Sequence, residues 1–228
     1  AFMHMVDRQI GEIIQLLKEL EIDGNTVFFL CGDNGGQDYF KSAERPHGFF
    51  APNLNPKTGK RFRAGKGSLY EGGLKVPFLV RWPGRVQAGS VSEQLLYFPD
   101  VMPTLGEVAS AEVPHTDGVS FLPILKGQTI TSDSDRFLYW EYGKQVAVRK
   151  GQWKAYRNGE NSWELYHLSE DVEEQINLAT QHPTVLGKMT EFAKQAHEPM
   201  KPGEIYRDDL IQRDRMQAPA LRQRAKRN

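Results

Sequence analysis

The chain has 228 residues, with 29 lysines and arginines against 29 aspartates and glutamates, so its formal net charge at pH 7 is zero. A neutral chain lacks the bulk positive charge that attracts nucleic acid, and no nucleic-acid partner is predicted. Its 39% hydrophobic and 25% charged content is typical of a soluble protein with one large domain, or one domain and a smaller one. No apolar stretch approaches about 20 residues, so no transmembrane helix is predicted, and a single cysteine excludes an internal disulfide framework.

The first predicted element is an amphipathic helix. Apolar residues recur at three- and four-residue spacing between residues 6 and 20, and the Asp-Gly-Asn run at 23–25 is typical of a helix end. The apolar run at 26–30 predicts a buried strand. Helix, short turn and strand together predict a right-handed crossover element of a doubly wound α/β sheet.

The most informative stretch is Cys-Gly-Asp-Asn-Gly-Gly at 31–36, directly after that strand. A strand that ends here delivers the side chains of Asp33 and Asn34 to the carboxyl edge of a sheet, where open α/β folds bind ligands. Carboxylate and amide oxygens suit Ca²⁺ or Mg²⁺, and the glycines allow close backbone approach. Asx-Gly pairs also form ordinary turns, but the preceding strand and the later glycine–lysine motif favour a metal site.

A long polar segment at 37–64 follows, and such loops are frequently functional. Between Gln37 and Lys66 the two acidic residues are Asp38 and Glu44. The seven basic residues are Lys41, Arg45, Lys57, Lys60, Arg61, Arg63 and Lys66. This excess of positive charge predicts a surface that steers a polyanion. A solvated loop whose charges are offset elsewhere in the fold explains the same composition.

Lys66 lies between two glycines in Gly-Lys-Gly-Ser-Leu-Tyr-Glu-Gly-Gly at 65–73. An ammonium point charge can stabilise negative charge on an anionic group, and flanking glycines admit the anion. A lysine in a surface turn is the plain alternative. Tyr70 and Glu71 are expected to shape the returning chain rather than to contact a substrate.

The later elements are short. A second buried strand is predicted at 76–81, and a short helix at 100–110 tolerates Pro103 in its first turn. Four aromatic, β-prone runs then predict an antiparallel meander, with a hairpin signal at Asn158-Gly159. They are 137–140, 146–148, 153–156 and 163–166. Pro183 opens a further amphipathic helix.

Five motifs in order resemble the C-terminal half of type I sulfatases, the arylsulfatase family of the alkaline-phosphatase superfamily. They stand at 33–36, 65–77, 81–84, 98–105 and 117–120. The resemblance implies part of an α/β, alkaline-phosphatase-like doubly wound sheet, followed by a small antiparallel sheet with a helix. It divides the chain into the C-terminal part of the catalytic domain at 1–130, a small α+β subdomain at 131–200 and a polar tail at 201–228.

The resemblance also implies a chemistry. Asp33 and Asn34 would bind Ca²⁺, with Mg²⁺ as the alternative, and Lys66 would contact the sulfate as a catalytic residue. Arg45 and His47 are further candidates for substrate contact, although a loop histidine satisfied by the backbone explains His47 equally. The family's nucleophile is a formylglycine made within Cys/Ser-x-Pro/Ala-x-Arg. The sequence contains no such pentapeptide, and Cys31 is followed by Gly-Asp-Asn-Gly.

We therefore expect a catalytically incomplete sulfatase fragment whose nucleophile lies upstream, with the N-terminal half of the same protein as its partner. The implied substrate is a sulfated small molecule or a sulfated glycan, in a periplasmic, secreted or lysosomal-type compartment. One alternative is a phosphoesterase or phosphonate hydrolase of the same superfamily. The other is a non-catalytic fragment that binds sulfated glycans. The sequence does not discriminate among substrates, because specificity depends on loops that vary within a fold.

Overall fold

Helix α1 (Phe2–Glu19) begins the computed structural model, which describes residues 2–37, 43–44, 53–128 and 136–199. The chain divides into two units, Ala1–Ala193 and Lys194–Asn228. The elements described below belong to the first unit, except for the last turn of the final helix. Nothing among them contradicts the predicted boundaries near 130 and 200, which stay predictions.

The end of α1 differs from the predicted one. Glu21 adopts a left-handed backbone, with φ 58°, and its N–H donates to the Lys18 carbonyl oxygen at 3.0 Å. This geometry closes the helix before the Asp-Gly-Asn run, which forms a separate 3₁₀ turn, Asp23–Asn25. The prediction that the 23–25 run ends the helix is therefore wrong, because the chain reverses one turn earlier, at a glutamate.

Strands β1 (Phe28–Cys31) and β2 (Phe78–Arg81) pair antiparallel, with Cys31 opposite Phe78. The predicted crossover needs a parallel partner, and within the described residues β1 pairs with β2 alone. Both strands were predicted to be buried, yet their residues are half-buried, and Leu79 on β2 is 56% exposed. Their aromatic side chains pack on Phe121, whose ring centroid lies 6.0 Å from that of Phe29.

A short helix α2 (Glu71–Leu74) precedes β2, and α3 (Val101–Ala109) and α4 (Leu122–Leu125) follow it. The helix predicted at 100–110 is confirmed, with Pro103 in its first turn. Asp100, which is 1% exposed, receives a two-point ion pair from Arg136 at 2.7 and 2.9 Å. Its Oδ1 also accepts the Val119 N–H at 2.9 Å. Two of the sequence motifs, 98–105 and 117–120, are thus joined through one buried carboxylate.

The predicted meander is confirmed. Strands β3 (Phe137–Tyr142), β4 (Gln145–Lys150), β5 (Trp153–Asn158) and β6 (Glu164–His167) pair antiparallel in sequence order. Helix α5 (Pro183–Ala196) follows and begins at the predicted proline. The turn between β4 and β5 holds Gly151 in a left-handed backbone, with φ 55°. The sheet predicted from aromatic runs therefore forms with its expected order.

Side chains of the meander alternate between two apolar clusters, as period-two geometry requires. On one face, Val148, Ala155 and Leu165 pack with α5 through Met189 and Ala193. The other face packs on the segment that carries the glycine–lysine motif. Its buried members are Leu69, Tyr70, Ala147, Tyr156, Tyr166 and Leu168. The meander therefore packs directly against the segment that carries the glycine–lysine motif. No helix in the part of the chain that the structure describes is long and apolar enough to cross a membrane.

Candidate active site

The site begins where β1 ends. The ladder continues one residue past Cys31, since the Gly32 N–H donates to the Pro77 carbonyl oxygen at 3.2 Å. Asp33 follows with an exposed side chain, and Asn34 is half-buried. The amide nitrogen of Asn34 donates to the Gly35 carbonyl oxygen at 3.0 Å, which assigns its amide oxygen to the opposite direction. Both oxygen-bearing side chains thus lie directly after a strand, where the sequence predicted them.

Two backbone segments cross at this strand end with almost no space between them. The Gly35 N–H donates to the Gly73 carbonyl oxygen at 2.9 Å, and a Cβ on Gly35 would lie 1.7 Å from the Gly72 carbonyl oxygen. A Cβ on Gly72 would lie 2.2 Å from the Arg63 carbonyl oxygen. These glycines are required by close approach, not by a left-handed backbone.

Lys66 lies on the crossing segment. Its N–H donates to the Gly36 carbonyl oxygen at 2.9 Å, two residues after Asn34. The side chain of Lys66 is exposed, and Gly67 has a left-handed φ of 86°. The structure therefore brings together the two motifs that the sequence singled out, although about thirty positions separate them along the chain.

Replacing Gly35 by alanine is expected to destabilise the protein, because the new methyl group would meet the backbone of Gly72, which cannot rotate away. Overpacked cores lose about 1–3 kcal/mol or more, and a backbone clash should reach or exceed the upper end. Gly11→Ala is the matched control, because nothing lies within 4 Å of its added Cβ. Chemical denaturation of both variants measures the difference. Equal free energies of unfolding for Gly35→Ala and Gly11→Ala would contradict the close backbone contact between Gly35 and Gly72.

A buried ionic network lies below the Lys66 loop. Lys154 on β5 is 0% exposed, and its Nζ lies 2.9 Å from Glu71 Oε1 and 2.8 Å from Glu174 Oε1. The Glu71 N–H also donates to Glu174 Oε2 at 2.6 Å. Burial raises the pKa of the Glu174 carboxyl, and the charge of Glu71 adds to this although Lys154 opposes it. Burial also opposes ionisation of Glu71, but Lys154 and Arg149 outweigh it and lower its pKa.

Arg63 is committed to the same interior. One of its terminal nitrogens donates to the Tyr166 hydroxyl at 2.6 Å and to the Glu174 carbonyl oxygen at 2.9 Å. Its guanidinium carbon lies 3.9 Å from the ring centroid of Tyr70. The same terminal nitrogen lies 3.4 Å from Glu164 Oε2, so the charge of Arg63 is offset within the fold. Arg63 is therefore structural, which agrees with the alternative explanation of the basic segment. Lys57 lies 3.9 Å from Glu93 as well, in an exposed pair.

Some predicted site residues and the predicted metal site are only partly represented among the described residues. Arg45 and His47 lie outside the described residues. Among the described residues, no group of three or more histidine, cysteine, aspartate or glutamate side chains is placed to hold a metal ion. Asp33 and Asn34 are therefore at most part of a ligand set. The metal and sulfate roles of Asp33, Asn34 and Lys66 stay predictions.

Sequence reasoning missed the polar residues that hold the Lys66 loop from below. Gln145, Arg149 and Lys154 lie on β4 and β5. Lys154 was predicted only as part of a strand, and Gln145 and Arg149 were not singled out. For the two charged residues a signal was present in the sequence. Arg149 and Lys154 occupy strand positions that alternate with buried apolar residues, and a charge on that face must be paired if the face is covered.

Protein-family models together match residues 1–201 of the chain. The model described as Sulfatase matches residues 1–111. The model described as N-sulphoglucosamine sulphohydrolase, C-terminal, matches residues 61–201, more than half of the chain. The chain belongs to the sulfatase family, and the predicted resemblance to type I sulfatases is confirmed.

Individual relatives agree. The chain is 32% identical to N-acetylgalactosamine-6-sulfatase of Mus musculus over 207 residues, covering 88% of this chain and 37% of that protein. It is 30% identical over 233 residues to an uncharacterized sulfatase of Schizosaccharomyces pombe, covering 84% of this chain and 41% of that protein. The chain thus spans less than half the length of the curated relatives it matches.

Among solved structures, the chain resembles Ps i-CgsB with a TM-score of 0.72 and 28% sequence identity. The match covers 93% of this chain and 46% of that one. That protein is also known in complex with k-i-k-neocarrahexaose. The likeness confirms the predicted α/β fold of the alkaline-phosphatase type.

Proposed function

We propose that this chain forms the C-terminal part of an enzyme that hydrolyses sulfate esters. The observation that carries the proposal is the hydrogen bond between the Lys66 N–H and the Gly36 carbonyl oxygen, at 2.9 Å. It holds the main chain of a lysine beside a strand end that bears two side chains with oxygen donors. Because the chain belongs to the sulfatase family, we propose that this lysine and the side chains of Asp33 and Asn34 act on a sulfate group.

Asp33 and Asn34 are the residues of this chain that would hold Ca²⁺, with Mg²⁺ as the alternative. The fit rests on donor chemistry, since a carboxylate and an amide oxygen are hard ligands and Asp33 is exposed to receive an ion. Calcium takes about 6–8 oxygen ligands, so the remaining ones must come from elsewhere in the protein or from substrate. When bound, the ion would polarise the sulfate group and favour ionisation of the nucleophile.

Lys66 would bind the sulfate through its ammonium group and stabilise the negative charge that develops on oxygen as the ester bond breaks. Its exposed side chain leaves room for a substrate, and glycines on both sides add no side chain that would block one. The proposed nucleophile, a formylglycine, has no precursor motif in these residues, so the proposal requires a segment outside this sequence to supply it. This chain alone is therefore expected to be inactive.

A sulfated sugar is the substrate class we propose. Two findings support this class: relatives of the chain include N-acetylgalactosamine-6-sulfatases, and a similar structure was solved in complex with k-i-k-neocarrahexaose. Arg45 and His47 stay candidates for contact with such a substrate. A periplasmic, secreted or lysosomal-type location is proposed from family membership alone.

The test uses the whole protein that contains this chain, purified with calcium and assayed on an aryl sulfate and on an aryl phosphonate monoester. We expect release of sulfate that stops when a chelator removes calcium and returns when calcium is restored. Lys66→Ala should lower kcat/KM by about 100-fold or more, since lost transition-state charge stabilisation costs about that much. The exposed Lys126→Ala is the matched control and should leave kcat/KM unchanged.

Other outcomes have definite meanings. Turnover of the phosphonate without turnover of the sulfate would replace the proposal with a phosphonate hydrolase. No turnover of either, with binding of a sulfated oligosaccharide that survives Lys66→Ala, would indicate a non-catalytic glycan-binding protein.

A further inference from the structure

A glutamine of the meander bridges the loop that carries Lys66. The amide nitrogen of Gln145 donates to the Gly67 carbonyl oxygen at 2.9 Å, and its amide oxygen accepts the Leu69 N–H at 3.1 Å. The Tyr156 hydroxyl donates to the same amide oxygen at 3.0 Å, which fixes the orientation of the amide. One side chain of β4 thus satisfies two backbone groups of a loop more than seventy positions away.

This bridge is one of two anchors on either side of Lys66. On the upstream side, the Lys66 N–H is bonded to Gly36, at the strand end that bears Asp33 and Asn34. On the downstream side, the Gly67 carbonyl oxygen is held by Gln145. Gly67 has a left-handed φ of 86°, and a glycine can leave such a conformation at little cost. The Ser68 N–H closes the turn locally by donating to the Gly65 carbonyl oxygen at 3.0 Å. Without the second anchor, the turn would keep this local bond but lose the contact that ties the Gly67 carbonyl to the sheet.

A lysine side chain has several rotatable bonds, so the position of its ammonium group depends on where its Cα is held. Misplacement of a reacting or binding group by about 1 Å can cost about 100-fold in rate. We propose that Gln145 is a positioning residue for Lys66, holding its main chain so that the ammonium group meets the anion bound at the strand end. The inference rests on the proposed function for its rate consequences, but not for its consequences in anion binding.

The experiment is a double-mutant cycle between Gln145 and Lys66 in the whole protein. Gln145→Met keeps the approximate shape and removes all three hydrogen bonds, whereas Gln145→Glu keeps an acceptor for Leu69 and loses the donor to Gly67. We expect Gln145→Met to lower kcat/KM on an aryl sulfate by about 10- to 100-fold. In a Lys66→Ala background, the same change should lower it by no more than about twofold, because residues that act as a unit are not additive.

A second readout is independent of turnover. Calorimetric binding of inorganic sulfate should weaken in Gln145→Met, and should weaken no further when Lys66→Ala is already present. Gln152, an exposed glutamine in the turn between β4 and β5, provides the matched control, and Gln152→Met should leave both readouts unchanged. Unfolding midpoints identify any variant whose losses come from global instability. Gln145→Glu, which keeps an acceptor for Leu69 but sets a carboxylate oxygen against the Gly67 carbonyl oxygen, then serves as the second variant and is expected to show the same non-additive pattern.

The outcomes separate this inference from the proposed function. A cycle that is non-additive in sulfate binding, in a protein that turns over no sulfate ester, would overturn the proposed function and support the positioning role. Additive losses in binding and in kcat/KM would overturn the positioning role, since Gln145 would then act on the fold in general.

Discussion

Asp33→Ala in the whole protein is expected to lose its calcium and its turnover while keeping its fold. A substitution in the outer shell of a metal site already costs about 10- to 100-fold in affinity or activity, so loss of a direct ligand should cost at least about 100-fold. The fold should survive because the Asp33 side chain is exposed. The crossing at this point is made by the backbones of Gly35 and Gly73.

Three measurements check this result on one preparation. Metal content should fall, kcat/KM on an aryl sulfate should fall by at least about 100-fold, and the unfolding midpoint without calcium should match that of the parent. Asp33→Asn keeps one oxygen donor and should retain part of the calcium affinity. Asp7→Ala removes an exposed carboxylate on α1 and serves as the control. Unchanged calcium content together with unchanged activity would contradict the proposal that Asp33 is a metal ligand.

The elements that sequence predicted best are those with a strong local pattern. The period of apolar residues predicted α1 and α5, and the aromatic runs predicted β3 to β6. The juxtaposition of the Asp33 and Lys66 motifs was predicted from resemblance, and the structure supplies its physical reason. Gly35, Gly72 and Gly73 have no Cβ, so two backbones can cross where any other residue would collide.

Two features that the sequence predicted poorly are the pairing direction of β1 and β2 and the residue at which α1 ends. The direction in which β2 pairs with β1 depends on the path of the intervening segment, and neither strand carries a local signal for it. Helix α1 ends at Glu19 because its last turn closes locally, with the Glu21 N–H donating to the Lys18 carbonyl oxygen at 3.0 Å and the Ile22 N–H to the Leu17 carbonyl oxygen at 3.1 Å. Glu21 there adopts the left-handed conformation that glycine normally takes, so residue preference does not predict the position.

The residues of the candidate site also divide into those with a local sequence signal and those without one. Asp33, Asn34 and Lys66 stand in glycine-rich motifs that draw attention to themselves. Gln145 and Lys154 stand in ordinary strands, and their role comes from what the loop above them brings into contact. Nothing at position 145 in the sequence indicates that Gly67 and Leu69 will lie across it.

Lys154→Met is expected to destabilise the protein strongly. Lys154 is fully buried between two carboxylates, those of Glu71 and Glu174. Removing one partner of a buried ionic group leaves an uncompensated charge and costs about 3–5 kcal/mol. For a chain of this size each kcal/mol corresponds to about 2–4 °C, so the unfolding midpoint should fall by about 6–20 °C. Lys126→Met, at an exposed lysine, should leave it unchanged.

The pH dependence of this loss has a definite sign. In the parent, the pKa of Glu71 lies below its ordinary value, so its contribution to stability is present above about pH 4.5 and is lost as the pH falls. In Lys154→Met, burial is no longer opposed by the ammonium group, and the pKa values of both carboxyls should rise in the folded state. A carboxyl whose pKa is higher in the folded state than in the unfolded state stabilises the fold at low pH, and this stabilisation is lost as the pH rises. The difference in free energy of unfolding between parent and variant should therefore narrow from about pH 8 to about pH 5.

A compensating variant isolates the cause. Adding Glu174→Gln to Lys154→Met removes one of the stranded charges and should restore part of the lost stability, whereas a simple packing defect would be unaffected or worsened. Chemical denaturation at several pH values measures all three proteins. If the loss in Lys154→Met is independent of pH and is not relieved by Glu174→Gln, the ionic network does not support the Lys66 loop as the geometry indicates. If both effects are found, the buried ion pairs of Lys154 with Glu71 and Glu174 stabilise the segment that carries Lys66.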